Sequence, residues 1–215
     1  MRIAKHNKLV MIGDSITDAS RAQPVGEGLG EAVGRGYVSY VDALLAAVYP
    51  ERAIRVVNMG TSGNTVRDLK ARWQRDVIEQ SPDWLSVMIG INDVWRQFDL
   101  PRQAEIHVLI EEYEQTLDDL LGRTRPRLKG LVLMTPYYLE PNRKDAMRAQ
   151  MDRYGAAVKR LAKRHDALLV DTQAAFDKVL HETYPASLAG DRVHPNHVGH
   201  MVLARAFLEA VGFAW

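Results

Sequence analysis

Five short apolar runs along the chain alternate with longer segments in which apolar residues recur every three or four positions. The runs cover residues 9–12, 54–57, 84–89, 130–134 and 167–170. Largely apolar runs of four to six residues, bounded by Gly, Asp or Pro, are typical of buried strands. The segments between them have the spacing of amphipathic helices. This alternation predicts parallel βαβ units.

With right-handed crossovers, these units predict a three-layer α/β/α sandwich built on a five-stranded parallel sheet. We expect one domain over residues 1–215, because this length suffices for one large core and no linker or repeat interrupts it. Ser39 is expected to cap the first long helix. Five glycines between residues 18 and 36 neither follow a strand directly nor open a helix, so they predict an irregular loop rather than a dinucleotide site.

Composition narrows the class of protein. A net charge of +1 gives no electrostatic reason to expect a nucleic-acid or membrane partner. The chain has no cysteine, which excludes disulfides, thiolate catalysis and cysteine-ligated zinc. No segment approaches the roughly 18 apolar residues of a membrane span, and the first residues lack the apolar region of a signal peptide. We therefore expect a cytoplasmic protein.

Polar residues follow the predicted strands at the positions where α/β proteins bind their ligands. Ser15 comes after the first strand, Gly63 after the second and Asn92 after the third. The carboxyl ends of parallel strands share one edge of a sheet, so these residues are expected to meet there. Asp191 and His194, three residues apart near the end of the chain, supply a carboxylate and an imidazole.

These residue types together indicate nucleophilic catalysis. A serine hydroxyl is a weak nucleophile that needs a base within hydrogen-bond reach, and His194 is a candidate base for Ser15. Asp191 would hold the other ring nitrogen of that histidine. The backbone N–H groups of Ser15 and Gly63 and the side-chain amide of Asn92 would bind the oxyanion of the intermediate. Activity should then fall as acid protonates His194.

Two residues compete for these roles. Asp171 ends the fifth strand and is an alternative to Asp191 as the acid, but Asp191 lies only three residues from His194. We expect Asp171 to cap the following helix instead. Ser62 is an alternative nucleophile, and is interpreted as a loop hydroxyl that bonds the backbone.

A metal site is a further alternative. His194, His197 and His200 recur every third residue, a spacing that places side chains on one face of a helix. Pro195 disfavours a helical backbone at His194, and no histidine–glutamate zinc motif is present. Two carboxylates near the nucleophile, Asp14 and Asp18, are too few oxygen ligands for a divalent cation. We therefore predict no metal.

Four motifs, in order, resemble the blocks of the SGNH hydrolases, also called GDSL esterases. Gly-Asp-Ser-Ile at residues 13–16 is similar to the nucleophile block of that family, and Gly63 to its glycine block. Gly-Ile-Asn-Asp at residues 90–93 and Asp-Arg-Val-His at residues 191–194 resemble the other two. Thr17 departs from the pattern, since many members have Leu there. The resemblance implies a flavodoxin-like α/β/α fold and a serine hydrolase.

Longer stretches resemble a subgroup, the intracellular acetylxylan esterases, in residues 62–69, 90–97, 171–176 and 191–195. This resemblance implies removal of acetyl groups from xylo-oligosaccharides through an acetyl-serine intermediate. It also implies no metal or cofactor and commonly a homo-oligomer. Trp95 is then either a platform for a sugar ring or a residue that packs its loop. Trp215 would lie on its own core or, as we favour, at a subunit interface.

Three other functions stay open at this point. The first is a general short-chain SGNH esterase that acts on another acetylated glycan or a small ester. The second is a metal-dependent deacetylase, which would use the spaced histidines. The third is a carbohydrate-binding module that kept the fold without the chemistry, because a fold alone does not fix function.

Overall fold

All 215 residues are described by the computed structural model, and its strands form one parallel sheet. The order across the sheet is β2-β1-β3-β4-β5, with every neighbouring pair parallel. This confirms the predicted five-stranded parallel sheet. The strands are β1 (Lys8–Gly13), β2 (Arg55–Gly60), β3 (Trp84–Met88), β4 (Gly130–Met134) and β5 (Leu168–Val170).

Eight α-helices surround this sheet. The layer on one face contains α2 and α8, which pack together against β2 and β5, while α3, α5 and α6 form the layer on the other face. These layers complete the predicted three-layer sandwich. The helices are α1 (Ser15–Asp18), α2 (Tyr37–Val48), α3 (Val66–Trp73), α4 (Ile91–Asp99), α5 (Ile110–Thr124), α6 (Ala146–Arg164), α7 (Thr172–Leu180) and α8 (His197–Ala210). No helix combines the length and the apolar surface that crossing a lipid bilayer would require.

The core lies on both sides of the central strands. Every residue of β3 and β4 is buried, as expected for parallel strands that are covered by helices on both faces. The buried apolar side chains of strands and helices join in one continuous cluster of 55 residues. The polar loops at the carboxyl ends of the strands are therefore held by a rigid scaffold.

The start of α2 differs from the prediction. The helix begins at Tyr37, so Ser39 is its third residue and not its cap. The Ser39 hydroxyl donates to the carbonyl of Gly36 at 2.7 Å. The N–H of Tyr37 donates to Nδ1 of His200 at 3.1 Å. A side chain from α8, distant in sequence, therefore accepts the hydrogen bond of the first N–H of α2. No local sequence pattern could have indicated this start of the helix.

The second strand is longer than predicted, because β2 includes the polar residue Asn58. This side chain is fully buried, and its Nδ2 donates to the carbonyls of Thr17 at 2.6 Å and Val33 at 2.8 Å. Its Oδ1 accepts from the N–H of Gly60 at 2.8 Å. The loop at residues 18–36 is irregular, as predicted, and Asn58 is one of the residues that fasten it to the sheet.

We predict that Asn58→Ala lowers the free energy of unfolding by about 3 kcal/mol, since it leaves buried carbonyl groups without donors. Urea unfolding followed by circular dichroism measures the change. Gln103→Ala is the control, because the Gln103 side chain is exposed and does not cap the short helix that follows it. Equal stability of the two variants would contradict the role given to Asn58.

Candidate active site

The first strand delivers Ser15 to the carboxyl edge of the sheet. β1 ends at Gly13, and the chain turns at once into the short helix α1, which begins at Ser15. The side chain of Asp14 caps this helix, with Oδ1 accepting from the N–H of Ile16 at 3.0 Å. A side chain at Gly13 would collide with the carbonyl of Met88, so the tight turn requires glycine there. Ser15 is consequently half-buried on a rigid turn.

Ser15, His194 and Asp191 are joined by a chain of hydrogen bonds. Ser15 Oγ lies 2.9 Å from His194 Nε2. The other ring nitrogen, Nδ1, lies 2.6 Å from Asp191 Oδ2. Asp191 Oδ1 also accepts from the backbone N–H groups of Val193 at 2.9 Å and His194 at 2.8 Å. One carboxylate therefore orients both the backbone and the ring of the histidine.

The charge of Asp191 is favoured by this arrangement. Its partial burial alone would raise its pKa, but the hydrogen bonds from the ring and N–H of His194 and from the N–H of Val193 hold the pKa of Asp191 below its usual range. The carboxylate is thus ionised at neutral pH and can stabilise a positive charge on the His194 ring.

The loop that carries His194 is fastened from the end of β4. The hydroxyl of Tyr137 donates to the carbonyl of Val193 at 3.0 Å, and the N–H of Leu139 donates to the carbonyl of Arg192 at 3.0 Å. Arg192 adopts a left-handed backbone, with φ +63°, and its side chain pairs with Glu140. These contacts fix where the imidazole lies relative to the end of β1.

Three residues with N–H donors, Ser15, Gly63 and Asn92, line the same cleft. The N–H groups of Ser15 and Gly63 have no acceptor within the protein, and Gly63 has a φ of +80° that favours glycine. Asn92 is buried, and one N–H of its Nδ2 donates to the carbonyl of Asn64 at 2.9 Å. The second N–H of that amide is left for a ligand. The arrangement is suited to a tetrahedral oxyanion.

These residues line a cleft of about 510 Å³, which also contains Trp95. The ring centroid of Trp95 lies 5.9 Å from that of His194, with the ring planes tilted by 60°. The guanidinium of Arg96 lies 5.2 Å from the centre of the Trp95 ring. The half-buried tryptophan therefore both packs against its neighbours and forms one wall of the cleft.

The sequence matches the GDSL-like lipase/acylhydrolase family over residues 11–202. The chain belongs to this family. It is 61% identical to an acetylxylan esterase from Geobacillus stearothermophilus, over 100% of this chain and 98% of the relative.

The solved structures of GDSL relatives agree with the fold. The crystal structure of Axe2, an acetylxylan esterase from Geobacillus stearothermophilus, has a TM-score of 0.99 at 61% identity and covers 100% of this chain and 98% of its own. Solved variants of Axe2 include the catalytic mutants S15A, H194A and D191A. An α/β hydrolase from the metagenome of Lake Arreo, LAE5, has a TM-score of 0.97 at 59% identity, with 99% and 98% of the two chains covered.

The competing residues of this GDSL protein are engaged elsewhere. Asp171 Oδ1 accepts from the N–H of Ala174 at 3.1 Å, which makes it the cap of α7, and its other oxygen pairs with Lys159 at 2.5 Å. Ser62 Oγ donates to Asp18 Oδ2 at 2.7 Å. The interpretation of Asp171 as a helix cap agrees with these contacts. Ser62 is a loop hydroxyl, but it bonds the side chain of Asp18 and not the backbone as predicted.

The three regularly spaced histidines do not converge. His194 faces Ser15 and Asp191, whereas Nδ1 of the buried His200 accepts from the backbone at the start of α2. Burial, and next the charge of His194, lower the pKa of His200 to about 4. His197 is exposed at the start of α8. No group of three or more His, Cys, Asp or Glu side chains is arranged to hold a metal ion.

Two carboxyl groups within the motifs, Asp14 and Asp93, are buried beside the site, and the sequence did not indicate their burial. Asp93 is fully buried, its Oδ1 accepts from the N–H of Val66 at 2.9 Å, and its Oδ2 has no partner. Burial raises the pKa values of Asp93 and Asp14 to about 7. Asp14 directly follows a buried strand, which is equally typical of a surface turn, and Asp93 lies in the first turn of α4.

We predict that Asp93→Asn stabilises the protein more at pH 8 than at pH 5. The pKa of Asp93 is about 7 in the folded protein and near 4 in an unfolded chain, so its contribution to stability declines as pH rises between those values. The asparagine variant lacks this decline. Melting temperatures of parent and variant from pH 5 to pH 8 measure the difference, with the exposed Asp119→Asn as control. A difference that does not change with pH would contradict the prediction.

Proposed function

We propose that this protein is an acetylxylan esterase, a serine carboxylic ester hydrolase that removes O-acetyl groups from acetylated xylo-oligosaccharides. The proposal rests on a chain of hydrogen bonds beside three free N–H donors. In this chain, Ser15 Oγ lies 2.9 Å from His194 Nε2, and His194 Nδ1 lies 2.6 Å from Asp191 Oδ2. Identity of 61% to an acetylxylan esterase over the whole chain supports the substrate class.

Acylation begins when Ser15 Oγ attacks the acetyl carbonyl carbon and His194 Nε2 accepts the hydroxyl proton. The carbonyl oxygen becomes negative and accepts hydrogen bonds from the N–H groups of Ser15 and Gly63 and from Asn92 Nδ2. Asp191 stabilises the imidazolium through Nδ1. The intermediate then collapses, the carbon–oxygen bond to the sugar breaks, and the imidazolium protonates the departing sugar hydroxyl.

Deacylation repeats these steps with water. His194, neutral again, accepts a proton from a water molecule that attacks the acetyl-Ser15 carbonyl. The same three donors hold the second oxyanion. When the intermediate collapses, acetate leaves and the imidazolium returns a proton to Ser15 Oγ. The histidine side chain is 47% exposed, so its ring is accessible to water.

The relative Axe2 supports these assignments. Its catalytic mutants alter the serine, histidine and aspartate numbered 15, 194 and 191, and this chain has the same residue types at those numbers. We therefore assign Ser15 as nucleophile, His194 as general base and acid, and Asp191 as the residue that orients the base.

We predict that Ser15→Ala and His194→Ala each reduce acetate release from acetylated xylo-oligosaccharides by a factor of about 10³ or more. Asp191→Ala should retain a small residual activity, because the base is still present but poorly oriented. The exposed Asp119→Ala is the control and should match the parent. An active Ser15→Ala enzyme that is inhibited by a chelator would refute the serine mechanism in favour of a metal-dependent deacetylase.

Trp95 is the proposed platform for a sugar ring, because it forms a wall of the cleft beside His194. We predict that Trp95→Ala raises KM for acetylated xylo-oligosaccharides about tenfold, consistent with loss of one aromatic contact worth about 1 to 1.5 kcal/mol. With p-nitrophenyl acetate, which has no sugar, KM should change by less than about twofold. Equal effects on both esters would instead favour a packing role and the alternative of a general short-chain esterase.

Three further expectations belong to this proposal. A homo-oligomer is supported by Trp215, which is 61% exposed although it contacts Phe213 and Arg205. One domain over residues 1–215 is supported by the continuous apolar cluster. A cytoplasmic location stays a prediction from composition. Light scattering of the purified protein and fractionation of the source cells measure the first and the last.

A further inference from the structure

The guanidinium of Arg72 contacts the ends of β1 and β2 and the loop that follows β2. Arg72, on α3, has only 9% of its side chain exposed. Its Nη2 donates to the carbonyl of Gly13 at 2.8 Å, its Nη1 to the carbonyl of Met59 at 2.7 Å, and its Nε to Oδ1 of Asn64 at 2.6 Å. Nη1 also pairs with the buried Asp76 at 2.8 Å.

Only arginine has the geometry for these contacts. Its planar fork supplies donors in fixed directions, whereas lysine has a single ammonium on a flexible stem. Gly13 is the last residue of β1, and Met59 is the next-to-last residue of β2. The guanidinium therefore sets the separation between the turn that carries Ser15 and the loop that carries Gly63.

The contact to Asn64 continues to the third oxyanion donor. The carbonyl of Asn64 accepts from Nδ2 of Asn92 at 2.9 Å. At the other end of this amide, Oδ1 of Asn92 accepts from Arg96 Nη2 at 3.3 Å. Because both ends of the Asn92 amide are held, the second N–H of Nδ2 points in one fixed direction. The position of that N–H thus depends on where Arg72 holds Asn64.

We propose that Arg72 is a positioning residue for the oxyanion site, acting through Asn64 on the side-chain amide of Asn92. The inference rests on the proposed function, since it requires that Asn92 binds the oxyanion. Arg72 itself is separated from the reacting atoms by the residues that it holds.

Such a residue affects the transition state more than the bound substrate. The developing oxyanion needs donors at about 2.7–3.1 Å from its own position, whereas the ground-state carbonyl is less demanding. Loosening Asn64 should therefore lower kcat and leave KM nearly unchanged. If Arg72 had only a structural role, its substitution would lower the melting temperature but would not lower kcat selectively at constant KM.

The first experiment measures kcat and KM of Arg72→Lys and Asn64→Ala with p-nitrophenyl acetate. We expect kcat to fall about tenfold in each, as a fraction of the 10²–10³-fold loss typical of a deleted oxyanion donor, with KM within about twofold. Arg75→Met is the matched control, because Arg75 pairs with the same Asp76, is 72% exposed and donates to none of the site loops. It should keep the kcat of the parent.

The second experiment is a double-mutant cycle with Asn92→Ala. If Asn64 acts through Asn92, Asn64→Ala should lower kcat by less than about twofold once Asn92 is already alanine. A full tenfold loss in that background would overturn the inference, as would an unchanged kcat in Asn64→Ala alone. Asn64 is only half-buried, so this variant decides the matter even if Arg72→Lys does not fold.

The outcomes separate this inference from the proposed function. An Asn92→Ala enzyme with the kcat of the parent removes the oxyanion role of Asn92 and overturns this inference, although the protein is still an esterase. A Ser15→Ala enzyme with the kcat of the parent overturns the proposed serine mechanism instead. An Asn92→Ala enzyme with a loss of about 100-fold, combined with independent effects of Asn64→Ala, overturns the inference and keeps the esterase mechanism.

Discussion

The contact between Ser15 Oγ and His194 Nε2 joins residues 179 positions apart in the chain, and the proposed proton transfer from the serine to the histidine depends on it. Parallel pairing makes this contact attainable, because all five strands end at the same edge. The loop with His194 is then fastened to that edge by Tyr137 and Leu139, which follow β4. The serine turn follows β1, which is separated from β4 by β3. The rigid sheet therefore brings together two loops that are far apart in the sequence.

The hydrogen bonds that stabilise the loops also set the geometry of the site. Carbonyl groups at the ends of β1 and β2 are removed from water, so they need donors from the protein. Asn58 and Arg72 supply these donors to Thr17, Gly13 and Met59. Arg72 thus donates to buried carbonyl groups and also holds the loop of the proposed oxyanion donors. Changes at these positions are expected to affect both stability and turnover.

Charge is distributed unevenly around the site. Asp191 accepts three hydrogen bonds and is ionised, whereas burial raises the pKa values of Asp14 and Asp93 to about 7. Carboxyl groups of the same type therefore differ in charge because their hydrogen-bond donors and burial differ. The difference keeps the negative charge of Asp191 beside Nδ1 of His194, where the proposed mechanism forms an imidazolium.

By itself, the sequence determined the five strands, the parallel sheet and the motif residues at the strand ends, since short apolar runs and residue chemistry are local properties. It assigned the family through four motifs between residues 13 and 194. The tertiary structure decided the features that depend on contacts between residues distant in the sequence. It placed the start of α2 at Tyr37 through His200, extended β2 through Asn58 and brought Arg72 to the ends of two strands. These contacts join residues with no periodic relation along the chain, because packing and the satisfaction of buried polar groups select them.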